Sequence, residues 1–423
     1  MNNKKRVFGI LTLALVLGLL SGGILLLNSG NENKKNNCEN DVNVPVEKDP
    51  VYEKEEYDYL KDELTKVLKV KNFGGENDKW IYALFDFLYD KYDKKREILE
   101  ILGYPEKKEY ILNQLIAPLS KYVNSFTVYE EDDPKWEKAF IESHGEGETI
   151  GVRGFYLREN HSLHFLKSDE TEPECAEEKT TCEIMFHEIV HSGQENILGN
   201  YDDLSLWYTF VEGEAVMHEA TLVEYKDIET YNVGGWNIAD KKNATYSLAI
   251  RSEGTMIQGV DGNAFMKIQL LVGYEATEKY KVDGNIKNIA SIIDKKYGAE
   301  VSKKVFDNIK IINAANYEYD DISTEDAFKA AYELETTILE CMKKDIGNLS
   351  SKEKIVQYSK FYKYYLDVHL ISYVEEIEKT TYENGEKYIE STIIDHSDKL
   401  YDLKGLKNLL TNRAKECKVN LDI

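Results

Sequence analysis

The stretch Thr181-Cys182-Glu183-Ile184-Met185-Phe186-His187-Glu188-Ile189-Val190-His191-Ser192-Gly193 decides how the chain is read. It contains no Pro, six of its thirteen positions are apolar, and it predicts a helix beginning around Thr181. Residues four apart on a helix share a face. His187 and His191 therefore present two imidazoles side by side, close enough to share one metal ion. Glu188 lies one residue round from His187 and can reach a water at that metal without being a ligand. Ile184, Met185, Ile189 and Val190 bracket the motif, which predicts a helix packed in a core with one polar edge on a cleft. The competing reading is a charged helix face with two surface histidines.

Two His ligands with a Glu as general base is the arrangement of zinc proteases. A catalytic zinc needs a third protein ligand and an open position for water. Downstream runs Leu206-Trp207-Tyr208-Thr209-Phe210-Val211-Glu212-Gly213-Glu214-Ala215-Val216-Met217-His218-Glu219. This stretch resembles the second helix of gluzincins, the clan of thermolysin and the zinc aminopeptidases, in which an Asn-Glu-Gly-x-Ala pattern carries the third ligand. The resemblance implies Glu212 as that ligand, with Glu214 as the alternative, and one Zn2+ ion as the cofactor. Val211 stands where the family has Asn. Gluzincins also place an edge strand beside the cleft, and residues 154–165 would supply a strand pair there. A downstream Tyr or His assists the oxyanion in the family, and Tyr274 lies at a similar distance. Glu219 is the acid that could orient a ligand imidazole.

The resemblance covers about residues 150–220. Departures from the family pattern leave the substrate open. The aminopeptidase Gly-x-Met-Glu-Asn signature is missing, and Val216 occupies the position of a thermolysin Asp. A metzincin would need a Gly and a His where Gln194 and Ile197 stand. His161, His164 and His218 read as ordinary polar residues.

At the N-terminus, Lys4, Lys5 and Arg6 precede an uncharged run from Val7 to about Leu27. Its length suits a bilayer span, and the basic residues before it predict a cytoplasmic tail at 1–6 and an external body. Residues 7–28 are expected to be an uncleaved anchor, because the run exceeds the usual signal core, or else a secretory signal. Residues 29–50, rich in Asn, Lys and Glu, are expected to form a flexible linker. The formal charge of −24 argues against nucleic acid as a partner. Of five cysteines, Cys175–Cys182 and Cys341–Cys417 are candidate pairs, with Cys38 left over; five free thiols are the alternative.

Apolar residues at helical spacing (Leu60, Leu64, Val67, Leu68, then Trp80, Leu84, Phe87, Leu88, Tyr92) predict a helical region over 51–140, with a third helix over 106–122. Alternation from Thr149 to Leu166, with a turn at Glu159-Asn160, predicts a β-hairpin or two short strands. The expected architecture is mostly α (α+β). A zincin-like core over 141–230 has a small sheet beside the motif helix, and a large helical region fills 231–423. The expected activity is that of a membrane-anchored extracytoplasmic metallopeptidase acting on peptides or proteins. A non-catalytic surface binding protein, or a zinc hydrolase of a non-peptide amide, are the alternatives. The sequence does not indicate an oligomeric state.

Overall fold

Spacing of four lays Leu60, Leu64 and Leu68 along one side of α1 (Pro50–Lys71), and all three are buried. Asn72 and Gly74, with φ of 56° and 103°, take the left-handed backbone that stops the helix and turns the chain into α2 (Gly75–Ile101). Trp80, Ile81, Leu84, Phe85, Leu88 and Tyr92 form the buried side of α2. The computed structural model describes Cys38, Pro173, Cys175 and residues 50–144, 152–167, 180–199, 204–220, 235–239, 245–251, 265–316, 324–364, 374–383, 386–395 and 402–421. The expected membrane segment 7–28 lies outside the described residues, as does the linker apart from Cys38 and Pro50. Among the described residues, no helix is long and apolar enough to cross a membrane.

The expected third helix is interrupted. α3 (Lys107–Ile111) passes through a π-helical turn (Leu112–Ile116) into α4 (Ala117–Tyr122). Pro118 has no N–H to give to the preceding turn, and the wider π turn takes up the break. A strand that sequence periodicity did not mark follows at once: β1 (Ser125–Tyr129). It pairs in parallel with β3 (Ser162–Leu166), which pairs antiparallel with β2 (Gly154–Leu157), in the order β1-β3-β2. The 154–165 segment thus forms the strand pair that alternation predicts.

The two faces of this sheet have different partners, as the period of two requires. Tyr129 and Phe155 pack with Trp136 and Phe140 of α5 (Pro134–His144). Phe126, Leu163 and Phe165 join the main core, together with Met185, Phe186 and Ile189 of α6 (Thr180–Gly193). The sheet therefore sits directly beside the motif helix. β1 comes from the first expected region and β3 from the second, and both belong to one compact unit spanning Cys38–Ile423.

After α6 come α7 (Glu195–Leu198), α8 (Leu204–Phe210) and α9 (Glu212–Ala220). The C-terminal part is largely helical: α10 (residues 265–272), α11 (Tyr274–Asp283), α12 (Ile286–Tyr297), α13 (Ala299–Asn316), α14 (Thr324–Asn348), α15 (Lys352–Tyr364) and α16 (Leu403–Cys417). It is not helical throughout, however, and this corrects the expectation for 231–423. β4 (Gly235–Ala239), β5 (Thr245–Arg251), β6 (Val374–Glu383) and β7 (Glu386–Asp395) form a second, antiparallel sheet in chain order. The β6–β7 register closes at Glu383↔Glu386, around Asn384-Gly385. That dipeptide favours a two-residue hairpin turn; the pair itself lies outside the described residues.

The cysteines also pair differently from expectation in one case. Cys175–Cys182 is bridged, as its short spacing suggested, but Cys417 joins Cys38 and not Cys341. Cys341 is a buried free thiol on α14, and its burial pushes the pKa up to about 11. The staple to Cys38 closes a loop of nearly the whole chain, which spacing alone cannot reveal.

Candidate metal centre

Helix α6 is buried nearly all round, so its polar residues must find partners inside the protein. His187, Glu188 and His191 are 7%, 9% and 6% exposed. The two Nε2 atoms lie 3.0 Å apart. Each is also 3.5 Å from Oε2 of Glu212, the first residue of α9. A carboxylate oxygen of Glu188 lies within 4.8 Å of ring nitrogens of both histidines. The sequence-predicted pair and Glu212 are therefore brought to one point, across a gap of 20 residues in the chain between His191 and Glu212.

Helical geometry separates the two candidate carboxylates. Residues two apart on a helix point about 200° away from each other. Glu212 faces the imidazoles. Glu214 faces the opposite side, where its Oε1 accepts from Lys281 Nζ of α11 at 2.8 Å and its Oε2 accepts from Gln194 Nε2 at 2.8 Å. Lys281 is also paired with Glu278. Burial works against a charge on Lys281, but Glu214 and Glu278 outweigh it and raise its pKa.

The donor set fits a zinc ion. Tetrahedral zinc bonds nitrogen and carboxylate oxygen at about 2.0–2.2 Å, which sets ligand–ligand separations near 3.3 Å. The three donor atoms stand 3.0–3.5 Å from one another. Among the described residues, the ionic partners of Glu212 are the two histidines. Burial alone would raise the pKa of Glu212, but the adjacent His191 and His187 drive it far below the usual carboxylate range. Burial also opposes a charge on His191, yet Glu212 beside it raises its pKa. The carboxylate thus favours a proton on His191, and the imidazoles favour the ionised form of Glu212. The side chain of Glu212 is 21% exposed, so this edge of the cluster reaches solvent.

Glu188 differs from the three donors. Burial raises its pKa despite the two nearby imidazoles, and its carboxylate accepts the backbone N–H of Tyr156 on β2. Strand and helix lie this close because position 154 is Gly. A Cβ there would meet Ile184 Cγ2 at 2.5 Å and Glu188 Cγ at 3.2 Å. β2 and the turn after it are further tied to α7, just past the end of α6, through Glu195, which lies 3.0 Å from the Tyr156 hydroxyl and 3.1 Å from Arg158 Nε.

Other sequence candidates are placed elsewhere. Tyr274, expected to assist an oxyanion, packs on Tyr104 with ring centroids 4.8 Å apart, and its hydroxyl accepts from Gln114 at 3.5 Å. Burial, then Glu278, pushes its pKa up to about 12. Among its described contacts, none is with His187, His191 or Glu212. Glu219 lies on α9, but its side chain falls outside the described residues. His218 is fully buried between the hydroxyls of Tyr110, at 2.8 Å, and Tyr104, at 3.3 Å, and burial followed by Lys281 holds its pKa well down. His164 stacks on Phe155 and bonds Tyr129, and burial pushes it down to about 4. His161 forms the β2–β3 turn at a φ of 57°.

Sequence reasoning passed over Gln194. Its side chain lies 2.8 Å from His191 Nδ1 and also reaches the start of α9. The one available signal was its spacing three residues after His191, which places it next to that ring at the helix end. The chain has no match among protein-family models, curated proteins or solved structures.

Proposed function

We propose that the chain is an extracytoplasmic zinc metallopeptidase of gluzincin type, with a zincin-like core, held to the membrane by residues 7–28. The observation that carries this reading is the convergence of His187 Nε2, His191 Nε2 and Glu212 Oε2 at zinc-ligand spacing, with Glu188 adjacent and buried. Two neutral imidazoles and one carboxylate leave a bound Zn2+ with net positive charge, and it then supplies Lewis-acid activation of a water and of a carbonyl.

The remaining chemistry belongs to the chain. Glu188 takes the proton of the attacking water and hands it to the leaving amine. Its raised pKa suits both halves of that task, since a base that holds its proton too weakly cannot accept it. The Tyr156 amide fixes the carboxylate in place. β2 is the outer strand of its sheet, and in an antiparallel pair alternate residues direct their N–H and C=O away from the partner. An extended peptide can pair with that edge next to Glu188. A peptide or protein is therefore the proposed substrate.

The test is Glu188→Gln in the full chain. Zinc content should stay at one ion per chain, while cleavage of a peptide library falls by about 10²–10⁴-fold or more. Full residual cleavage would remove Glu188 from the mechanism. A wild-type protein that binds zinc yet cleaves no peptide would favour a non-peptide amide or a binding role, and one that binds no zinc would end the metallopeptidase reading.

A further inference from the structure

Gln194 touches both halves of the candidate centre. It follows α6 and precedes α7, so its backbone is fixed by two helices, and its side chain is fully buried. The amide nitrogen is surrounded by acceptors: Val211 O at 3.0 Å, Phe210 O at 3.4 Å and Glu214 Oε2 at 2.8 Å. A carbonyl or carboxylate oxygen cannot donate, so the amide has one allowed orientation, with the NH2 toward α9 and Oε1 toward His191. Oε1 can only accept. The ring nitrogen facing it at 2.8 Å, Nδ1 of His191, must therefore carry the proton. A neutral imidazole protonated on Nδ1 has its lone pair on Nε2, the atom that faces His187 and Glu212.

The same amide reaches Glu212 along the chain. Val211, whose carbonyl it binds, is the residue before Glu212. Glu214 is in turn held from the far side by Lys281. One side chain therefore sets the tautomer of one donor and the main-chain position of another.

We propose that Gln194 is the positioning residue of this centre, aligning His191 and Glu212 for the metal through a neutral amide in the place where a carboxylate commonly serves. The proposal rests on the zinc reading of the site and adds a group that never touches the ion. Lost outer-shell partners of metal ligands typically cost about 10–100-fold in metal affinity. Gln194→Met keeps the length and bulk but removes every one of these hydrogen bonds.

The experiment uses the full chain and three measurements. Zinc affinity, from competition with a chelator, should weaken by about 10–100-fold in Gln194→Met. The visible spectrum of the Co2+-substituted protein should change from that of the wild type. In zinc-free protein at alkaline pH, imidazole 15N shifts should place the proton of His191 on Nδ1 in the wild type and on Nε2 in the variant. Should Gln194→Met fail to fold, Gln194→Asn replaces it. Asn is favoured at helix starts and is one methylene too short to span from His191 to Val211. Wild-type affinity with an unchanged cobalt spectrum overturns the proposal, and so does an Nε2 proton in the wild type. If the wild type binds no zinc, the metallopeptidase reading falls separately, and the tautomer measurement still decides whether Gln194 sets His191.

Discussion

Helix α9 has two sides, each carrying a Glu that meets a buried His, and they treat charge in opposite ways. On the inner side, Glu214 is balanced by Lys281, and His218 is kept neutral between two tyrosines. Every strong group there has a protein partner, as a structural polar core requires. On the outer side, Glu212 faces two imidazoles whose Nε2 atoms point at each other. Among the described residues no Lys or Arg joins that side. The inner side balances its carboxylate with a lysine, whereas on the outer side, among the described residues, the carboxylate meets imidazoles. The same chemistry of residues thus reads as structure in one case and as a site in the other, because of what stands opposite.

The largest expected effect breaks the inner side. Lys281→Met removes the cation between Glu214 and Glu278 and leaves the buried Glu214 carboxylate without its lysine, at a cost of about 3–5 kcal/mol. Chemical denaturation of the zinc-free protein checks this, and a loss under about 1 kcal/mol would show that Lys281 is not what balances Glu214. Glu212→Ala should behave in the opposite manner. It should cost the zinc-free protein less than Lys281→Met does, because Glu212 is partly exposed and the imidazoles beside it can give up their protons, while lowering metal content. Unchanged metal content would transfer the ligand role to Glu214.

A smaller effect lies at the contact between β2 and α6. Gly154→Ala drives a Cβ into Ile184 Cγ2, which is close to the main chain and has little freedom to move. Overpacking of this kind costs about 1–3 kcal/mol. Pushing β2 outward also loosens the Tyr156 amide from Glu188, so hydrolysis should fall while zinc content holds. The double variant with Ile184→Ala should recover part of the stability, because the two positions share the clash. Additive losses would mean that the strand does not rest on Ile184.

How much of this was legible in the sequence follows from the range over which each feature is encoded. His187, Glu188 and His191 were readable because helical period alone brings them together. Glu212 was reachable only through a resemblance, and the choice against Glu214 needed the register of α9, which the sequence around Gly213 does not specify. Lys281 is 67 residues beyond Glu214, and its approach depends on how α11 packs. β6 was missed because Val374-Glu375-Glu376-Ile377-Glu378-Lys379 carries apolar residues three apart with charges between, a helical pattern. The strand signal lay instead in Thr380, Thr381 and Tyr382 before Asn384-Gly385. Cys38 to Cys417 joins residues with no local relation at all.

The smallest effect is a pH dependence, and it distinguishes the two sides without disturbing their packing. In zinc-free protein the pKa of Glu212 is depressed, so its contribution to stability is present above the ordinary carboxylate value of 4.5 and is lost as pH falls through the folded value. The pKa of His191 is raised above 6.5, so its contribution is complete below 6.5 and is lost as pH rises through its folded value. Glu188, raised by burial, adds to the same downward slope as it ionises above 4.5. On the inner side Lys281 is raised above 10.5 and adds no slope near neutrality, whereas Glu214, raised by burial, adds a downward slope above 4.5 that Glu212→Ala leaves in place. Zinc-free protein should therefore lose melting temperature as pH climbs from 6.5, and Glu212→Ala should lessen that slope. Zinc reverses the demand, because imidazole must be neutral to ligate. The gap between zinc-loaded and zinc-free melting temperatures should widen between about pH 6 and pH 8. A gap that stays constant across that span would mean that the protons leaving His191 and the cation arriving do not compete for the same place, and the outer side of α9 would then be as self-contained as the inner.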